Sequence, residues 1–283
     1  MIGAGASLRT DVLTGFRRAV AAVDALSPEI AAAAERAAAL YETGGRLVYV
    51  GAGASGLIAA QDAAELPGTF GLEPNRILKL IAGGGAHPFD IDAAAEDDAQ
   101  AGAADMRALG SLAGSTVVAV SASGATPYTV AAARAAREAG AYVIALACRP
   151  GSPLLALGES ALGLDTGEEA LKGSTRLAAG TAQKCALGLF STLLGEALGH
   201  VHAGRMVNVR ADNDKLKRRA LDIVTDISRV DEARAHSALE VAGGEVKYAI
   251  LIASGATNAS EAKSLLTEAR GRLTPALRRL GAS

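Results

Sequence analysis

Tryptophan is absent from this sequence and aromatic residues make up only 3% of its 283 positions. The core therefore has to be filled by Ala, Leu and Val, and with half of the residues hydrophobic there is material for a sizeable one. Cysteine is also scarce. Cys148 and Cys185 lie far apart, without CxxC or metal-ligand spacing, which excludes a disulfide framework and fits a reducing compartment, the cytoplasm. Charge of one sign is lacking: the net charge is −2 and the pI near 6.1. This argues against a nucleic-acid or membrane-surface protein, whose affinity rests on clustered Lys and Arg. The local exception is Lys215–Arg219 (KLKRR), read as a solvated helix face. No apolar run reaches the length of a membrane span, and the first residues lack the basic-then-apolar pattern of a signal peptide. His200 and His202 are two apart, so the i, i+4 metal pair is missing, and no GxSxG elbow occurs. His87, beside a glycine run, is a weaker candidate for a cleft residue.

What is present is organised around Val48–Glu65, VYVGAGASGLIAAQDAAE. A β-branched run ends in a glycine turn that opens a helix, and the helix ends in a carboxylate. The free N–H groups of such a turn and helix start converge on one anion, and the helix dipole favours it. Before it, Thr10–Leu26 and Ser27–Tyr41 read as helices, the second with Ser27 as N-cap and Pro28 at the first helical position. After it, Arg76–Ala82, Ser115–Val120, Ala141–Cys148 and Ala161–Asp165 read as strands, with helices at Phe89–Leu109, from Pro127, and at Thr175–Leu198. With Arg46–Val50 this makes five strands alternating with helices. The pattern predicts an α/β fold, a five-stranded parallel sheet sandwiched by helices. From about Arg210 only short helices are expected: Val230–Ala242, Glu245–Ala253, Asn258–Glu268 and Thr274–Leu280. They form a small C-terminal helical module.

Four stretches carry chemistry. Gly51–Gly56 (GAGASG) matches GxGxxG literally, but a dinucleotide site needs an acid at the end of the next strand, and that strand runs into Ala82-Gly83-Gly84-Gly85. Ser121–Thr126 (SASGAT) is a second strand–turn–helix unit whose hydroxyls offer donors to phosphate oxygens without adding charge. Two such turns on parallel strands share the sheet edge where α/β proteins bind ligands. Glu169–Gln183 opens the long helix with hydroxyls, Lys172 and Arg176, though an N-cap at Ser174 explains that stretch as simply. Last come the acids Glu65 and Glu96, with Asp62, Asp97 and Asp98 equally placed. Spacing does not choose among them.

Together these motifs resemble the N-acetylmuramic acid 6-phosphate etherase family, within the sugar isomerase (SIS) domain superfamily. The resemblance is carried by Gly45–Gly56, by Asp62-Ala63-Ala64-Glu65 with Pro67 and Thr69-Phe70-Gly71, by Ala95-Glu96-Asp97, by Ala122–Tyr128, by Gly173-Ser174-Thr175-Arg176 and by Ala179–Lys184. It continues through Met206-Val207-Asn208-Val209 and Asn213–Leu216. It implies a SIS fold and a bacterial lyase of cell-wall recycling that splits the C3 lactyl ether of N-acetylmuramic acid 6-phosphate by elimination and hydration. It also implies roles. Glu65 is the acid at the lactate and the water, its pKa raised by an apolar helix end, and Glu96 is the base at C2. Ser55, Ser121, Ser123 and Thr126 hold the phosphate; Ser174 and Thr175 line the sugar pocket with Glu169 nearby. The division implied is N-terminal helices 1–44, a sugar-phosphate-binding domain 45–209 and a helical module 210–283. The partner is a 6-phosphosugar and a second copy of the chain; no cofactor, metal, nucleic acid or membrane is called for. The sequence departs from the pattern before its first helix, where the family usually carries some thirty further residues, at Leu66-Pro67-Gly68-Thr69, and at Lys172 and Ala178. The alternatives on the same fold are a sugar-phosphate isomerase and a non-catalytic sugar-phosphate-binding regulator.

Overall fold

A computed structural model describes residues 4–84, 93–209 and 214–281. The chain forms two compact units, Met1–Ala64 with Pro74–Leu194, and Glu65–Glu73 with Gly195–Ser283.

The first unit begins with α1 (Ala4–Ala25) and α2 (Ser27–Glu42). Ser27 does not cap α2: its hydroxyl donates to the Asp24 carbonyl, and Leu26 occupies the cap position. Pro28 does sit in the first turn, where its missing N–H costs nothing. The sheet then follows, with β1 (Leu47–Gly51), α3 (Gly53–Phe70), β2 (Ile77–Ile81), α4 (Ala93–Glu96), α5 (Ala99–Ala108), β3 (Thr116–Ser121), α6 (Pro127–Glu138), β4 (Tyr142–Ala147), β5 (Ser160–Gly163) and α7 (Ala178–Ala197). The strands are all parallel, in the order β2-β1-β3-β4-β5. The three inner strands are buried almost throughout and the two edge strands only in part, as expected of a parallel sheet covered on both faces. On one face Val48, Val50, Val117, Ala119 and Val143 pack with Met106 of α5 and with Tyr128 and Ala132 of α6. On the other, Tyr49 donates from its hydroxyl to Asp62 of α3. The expected α/β sandwich is what the chain adopts.

Two helices depart from their expected limits. The break expected before Pro67-Gly68 does not occur: α3 runs on through Pro67 and ends at Gly71, which takes a left-handed φ of 66° and donates its N–H to the Pro67 carbonyl. Phe89–Leu109 is not one helix. Its described part is divided between α4 and α5, because the Asp98 carboxylate caps the Ala101 N–H at 2.8 Å and starts a new helix there. Residues 85–92, with His87, lie outside the described residues.

In the second unit a short hairpin, β6 (Val201–His202) and β7 (Arg205–Met206), precedes the helices, and the sequence reading had no strand there. The helices are α8 (Asp214–Ser228), α9 (Glu232–Val241), α10 (Val246–Ala253), α11 (Ala259–Glu268) and α12 (Leu273–Arg279). Asp231 and Asn258 cap α9 and α11 by accepting from Arg234 N and Glu261 N. The core of this module is Ala220, Ile223 and Val224 of α8 against Ala235, Ala249, Ile250 and Ala262.

Candidate active site

The strand order places a topological switch point between β1 and β3: the chain leaves β1 toward β2 and returns to β3 on the other side. Ligands of open α/β sheets bind in the crevice this creates at the strands' C-terminal ends. Both Ser/Gly turns lie there, and they touch. Ala122 N donates to Ser55 Oγ at 3.2 Å, and Gln183 Nε2 of α7 donates to the same oxygen at 3.0 Å. A hydroxyl has two lone pairs and one proton. With both lone pairs of this buried oxygen engaged, the Ser55 proton is left for an incoming acceptor. The neighbouring turn is a hydroxyl cluster: Ser121 Oγ lies 2.9 Å from Thr126 Oγ1 and 3.4 Å from Ser123 Oγ, and it accepts from Gly124 N at 3.1 Å. Gly124 has φ 63°, and a Cβ there would strike the Ser152 side chain. In GAGASG, Gly51 and Gly56 serve packing. A Cβ on Gly51 would come within 2.9 Å of the Gly56 Cα, so strand and helix meet backbone to backbone.

The structure separates the five acids that spacing left equal. Asp62 is buried and accepts from Tyr49 OH at 2.8 Å and Ser191 Oγ at 3.0 Å, which ties α3 to β1 and α7. Burial and the Asp62 charge hold the Tyr49 hydroxyl well above its usual pKa, so it stays a donor. Asp98 is a helix cap, and Asp97 is exposed. Glu96, half-buried, has its carboxylate against Gly53, the first residue of α3: a Cβ on Gly53 would collide with it, and Gly53 takes φ 53°. Glu96 thus stands beside the first Ser/Gly turn, against the residue two positions before Ser55. Glu65 lies on the same helix as Ser55, ten residues and roughly 15 Å further along the axis. Its side chain is exposed, so the helix end alone does not supply the dry surroundings expected for it.

Glu169 accepts from Ala178 N and Ala179 N at 3.0 Å each and so caps α7 across a loop, the part that the alternative reading of this stretch gave to Ser174. Ser174 and Thr175 line a cleft of about 400 Å³ with Glu168, Glu169 and Lys172. Cys148 is pushed up to about 12 by burial and then by the Glu169 charge, which keeps it an inert thiol. In the second unit His200 accepts from Asn208 Nδ2 at 3.4 Å and is held down to about 4, by burial first and then by Lys247. It is a neutral structural histidine. Among the described residues no three His, Cys, Asp or Glu side chains cluster as metal ligands. Gln183 was missed as a site residue. It stands 128 positions from Ser55, and no local pattern announces a contact at that separation.

Residues 14–148 match the SIS domain model. Over 253 residues the chain is 45% identical to the N-acetylmuramic acid 6-phosphate etherase of Deinococcus radiodurans, covering 89% of this chain and 83% of that one. It is 42% identical over 263 residues to the protein of that name from Serratia proteamaculans, covering 93% and 89%. The corresponding protein of Streptomyces avermitilis is 42% identical over 257 residues, covering 91% and 83%.

Proposed function

We propose, for a chain that belongs to the N-acetylmuramic acid 6-phosphate etherase family, a reaction divided between Glu96 and Glu65 with the phosphate held by the two Ser/Gly turns. The chain is a carbon–oxygen lyase of cell-wall recycling: it cleaves the C3 lactyl ether of N-acetylmuramic acid 6-phosphate to N-acetylglucosamine 6-phosphate and D-lactate. Ser55 gives its free proton to a phosphate oxygen, and Ser121, Ser123 and Thr126 give theirs from the adjoining strand end. Ser174 and Thr175 bound the sugar, and Glu169 orders the helix start beside them.

The ring-opened sugar has an aldehyde at C1, which acidifies the proton on C2. Glu96 takes that proton as the C2–C3 double bond forms and the C3–O bond breaks, and Glu65 protonates the departing lactate oxygen. Water then adds at C3. Glu65 accepts its proton, and Glu96 returns a proton to C2. Bound substrate covers the exposed Glu65 side chain and excludes water at the moment of transfer. The observation that carries the assignment is the Glu96 carboxylate packed on Gly53 at the mouth of the phosphate turns, while Asp62 and Asp98 are engaged elsewhere.

The test follows the two halves of the reaction in deuterium oxide. Glu96→Gln loses both D-lactate release and deuterium uptake at C2. Glu65→Gln loses D-lactate release and keeps C2 exchange. Exchange that survives Glu96→Gln removes the base assignment. Deuterium at C2 with no lactate from the unaltered protein makes the chain an isomerase instead. We further assign the working form as a cytoplasmic homodimer. Leu13 and Val20, seven residues apart on α1, are 46% and 54% exposed, an apolar stripe that a second copy would cover. Light scattering of Leu13→Glu/Val20→Glu gives a monomer under this reading and leaves the mass unchanged if another surface pairs the chains. No described helix is long and apolar enough to cross a membrane.

A further inference from the structure

The second unit contains a cleft of about 700 Å³ that the reaction does not use. It is enclosed by the β6–β7 hairpin, the C-terminal ends of α8 and α10, the start of α9 and the face of α12 that bears Leu277. Its charged residues are Arg205, Arg229, Arg234 and Asp226. Arg205 pairs with Asp226. Arg229 and Arg234 are exposed, and neither makes an ion pair among the described residues. Among the lining residues three guanidiniums face one carboxylate, a surplus of positive charge, with the Asp231 carboxylate engaged beside them as the cap of α9. His202 adds none at neutral pH, since burial lowers its pKa, and its ring meets Thr274 Oγ1 at 3.3 Å. Ser254 offers a hydroxyl, and Ile227, Val230 and Leu277 give the cleft an apolar wall.

The backbone supplies an independent indication. Among the described residues only three non-glycines adopt a left-handed φ: Ala203 at 48°, Arg229 at 53° and Arg270 at 51°. Two of these, Ala203 and Arg229, line this cleft. Arg229 occupies the position after the last residue of α8, where glycine is the residue of least strain and where this chain uses glycine after other helices, as at Gly71 after α3. Strained backbone of this kind gathers at functional sites, where a side chain is worth more than the relaxed geometry.

We propose that the cleft bounded by Arg205, Arg229 and Arg234 is a second binding site, for a small dianionic phosphate monoester. The planar guanidinium forks of Arg229 and Arg234 match paired phosphate oxygens. The surplus of positive charge on the lining matches the dianion, and the apolar wall takes the organic part of the ligand. The site belongs to residues that none of the strand-end turns includes, so it fills independently of the catalytic one.

Inorganic phosphate tests the charge recognition directly. The full chain is titrated by calorimetry at low ionic strength, beside Arg229→Gly/Arg234→Gln and beside Ser121→Ala/Thr126→Val, which silences the strand-end turn. Arg229→Gly relieves the left-handed strain, so its melting temperature stays level or rises, and loss of binding is then not loss of fold. The unaltered chain takes up two phosphates. The arginine variant binds the second at least about tenfold more weakly, the effect of removing charge-assisted hydrogen bonds, and the turn variant retains it. The proposal is overturned by an arginine variant that keeps both phosphates, by an unaltered chain whose phosphate binding is abolished by the turn variant alone, or by acetate binding in the cleft as tightly as phosphate.

Discussion

Ser55 shows how much a single hydroxyl can be made to specify. Its oxygen is saturated by Ala122 N and Gln183 Nε2, so the protein has decided that this group donates. Ser55→Ala removes the proposed donor to phosphate and strands two buried N–H groups. We expect KM to rise by about tenfold with kcat changed less, and stability to fall by about 1–3 kcal/mol. Steady-state D-lactate release and thermal melting read the two effects separately. Gly53→Ala acts on geometry instead. It forces a side chain into a left-handed backbone and against the Glu96 carboxylate. The expected result is a kcat loss on the order of a hundredfold from displacing the proposed base. An equal loss in C2 deuterium exchange assigns the effect to Glu96; unimpaired exchange contradicts it.

At the scale of elements, the five strands of the parallel sheet were legible because β-branched runs bounded by glycine turns leave few alternatives, and each was misplaced by no more than a residue or two at its ends. Helix limits were less so. Pro67-Gly68 carries every local mark of a stop, yet α3 continues to Gly71, because tertiary packing holds its last turn: Asn208 Nδ2 donates to the Phe70 carbonyl at 3.1 Å, and Phe70 lies against Gly195. The start of α7 failed in the same way. Its cap comes from Glu169, nine residues before Ala178, which a rule confined to adjacent residues does not find. The two Ser/Gly turns were readable as strand–turn–helix units; their partner Gln183 and the sorting of the acids were not, since both depend on contacts between distant segments. The capping role has its own prediction. Glu169→Ala unties two N–H groups and lowers stability by about 1–2 kcal/mol, and Glu169→Gln, which keeps an acceptor, loses less. If thermal melting is unmoved by both while KM rises, Glu169 acts on substrate and not on the helix.

For the whole molecule, the helical module is most stable when two buried basic groups, Lys247 and His200, are uncharged. Lys247 on α10 is 7% exposed and donates to the Gly271 carbonyl at 3.0 Å. Burial brings it from 10.5 to about 8, against a smaller opposing effect of the Glu245 carboxylate. The folded chain therefore binds fewer protons than the unfolded chain between about pH 8 and 10.5, and folding stability rises with pH through that window. Below it the module holds a buried ammonium, and the destabilisation is complete. His200 works with the same sign further down. Its pKa is held at about 4 instead of 6.5, so stability falls as pH drops through 6.5 and goes on falling until the folded group protonates near 4. The two groups are coupled, because a charged Lys247 is one cause of the low His200 value. Lys247→Met accordingly leaves the unaltered chain's disadvantage largest near neutral pH. The gap in unfolding free energy between the two proteins narrows from pH 8 to 10.5 by an amount on the order of a few kcal/mol. Denaturant unfolding across that range measures it, and a constant gap would mean that Lys247 titrates at its ordinary value and that the carbonyl of Gly271 stabilises the ammonium as fully as water does.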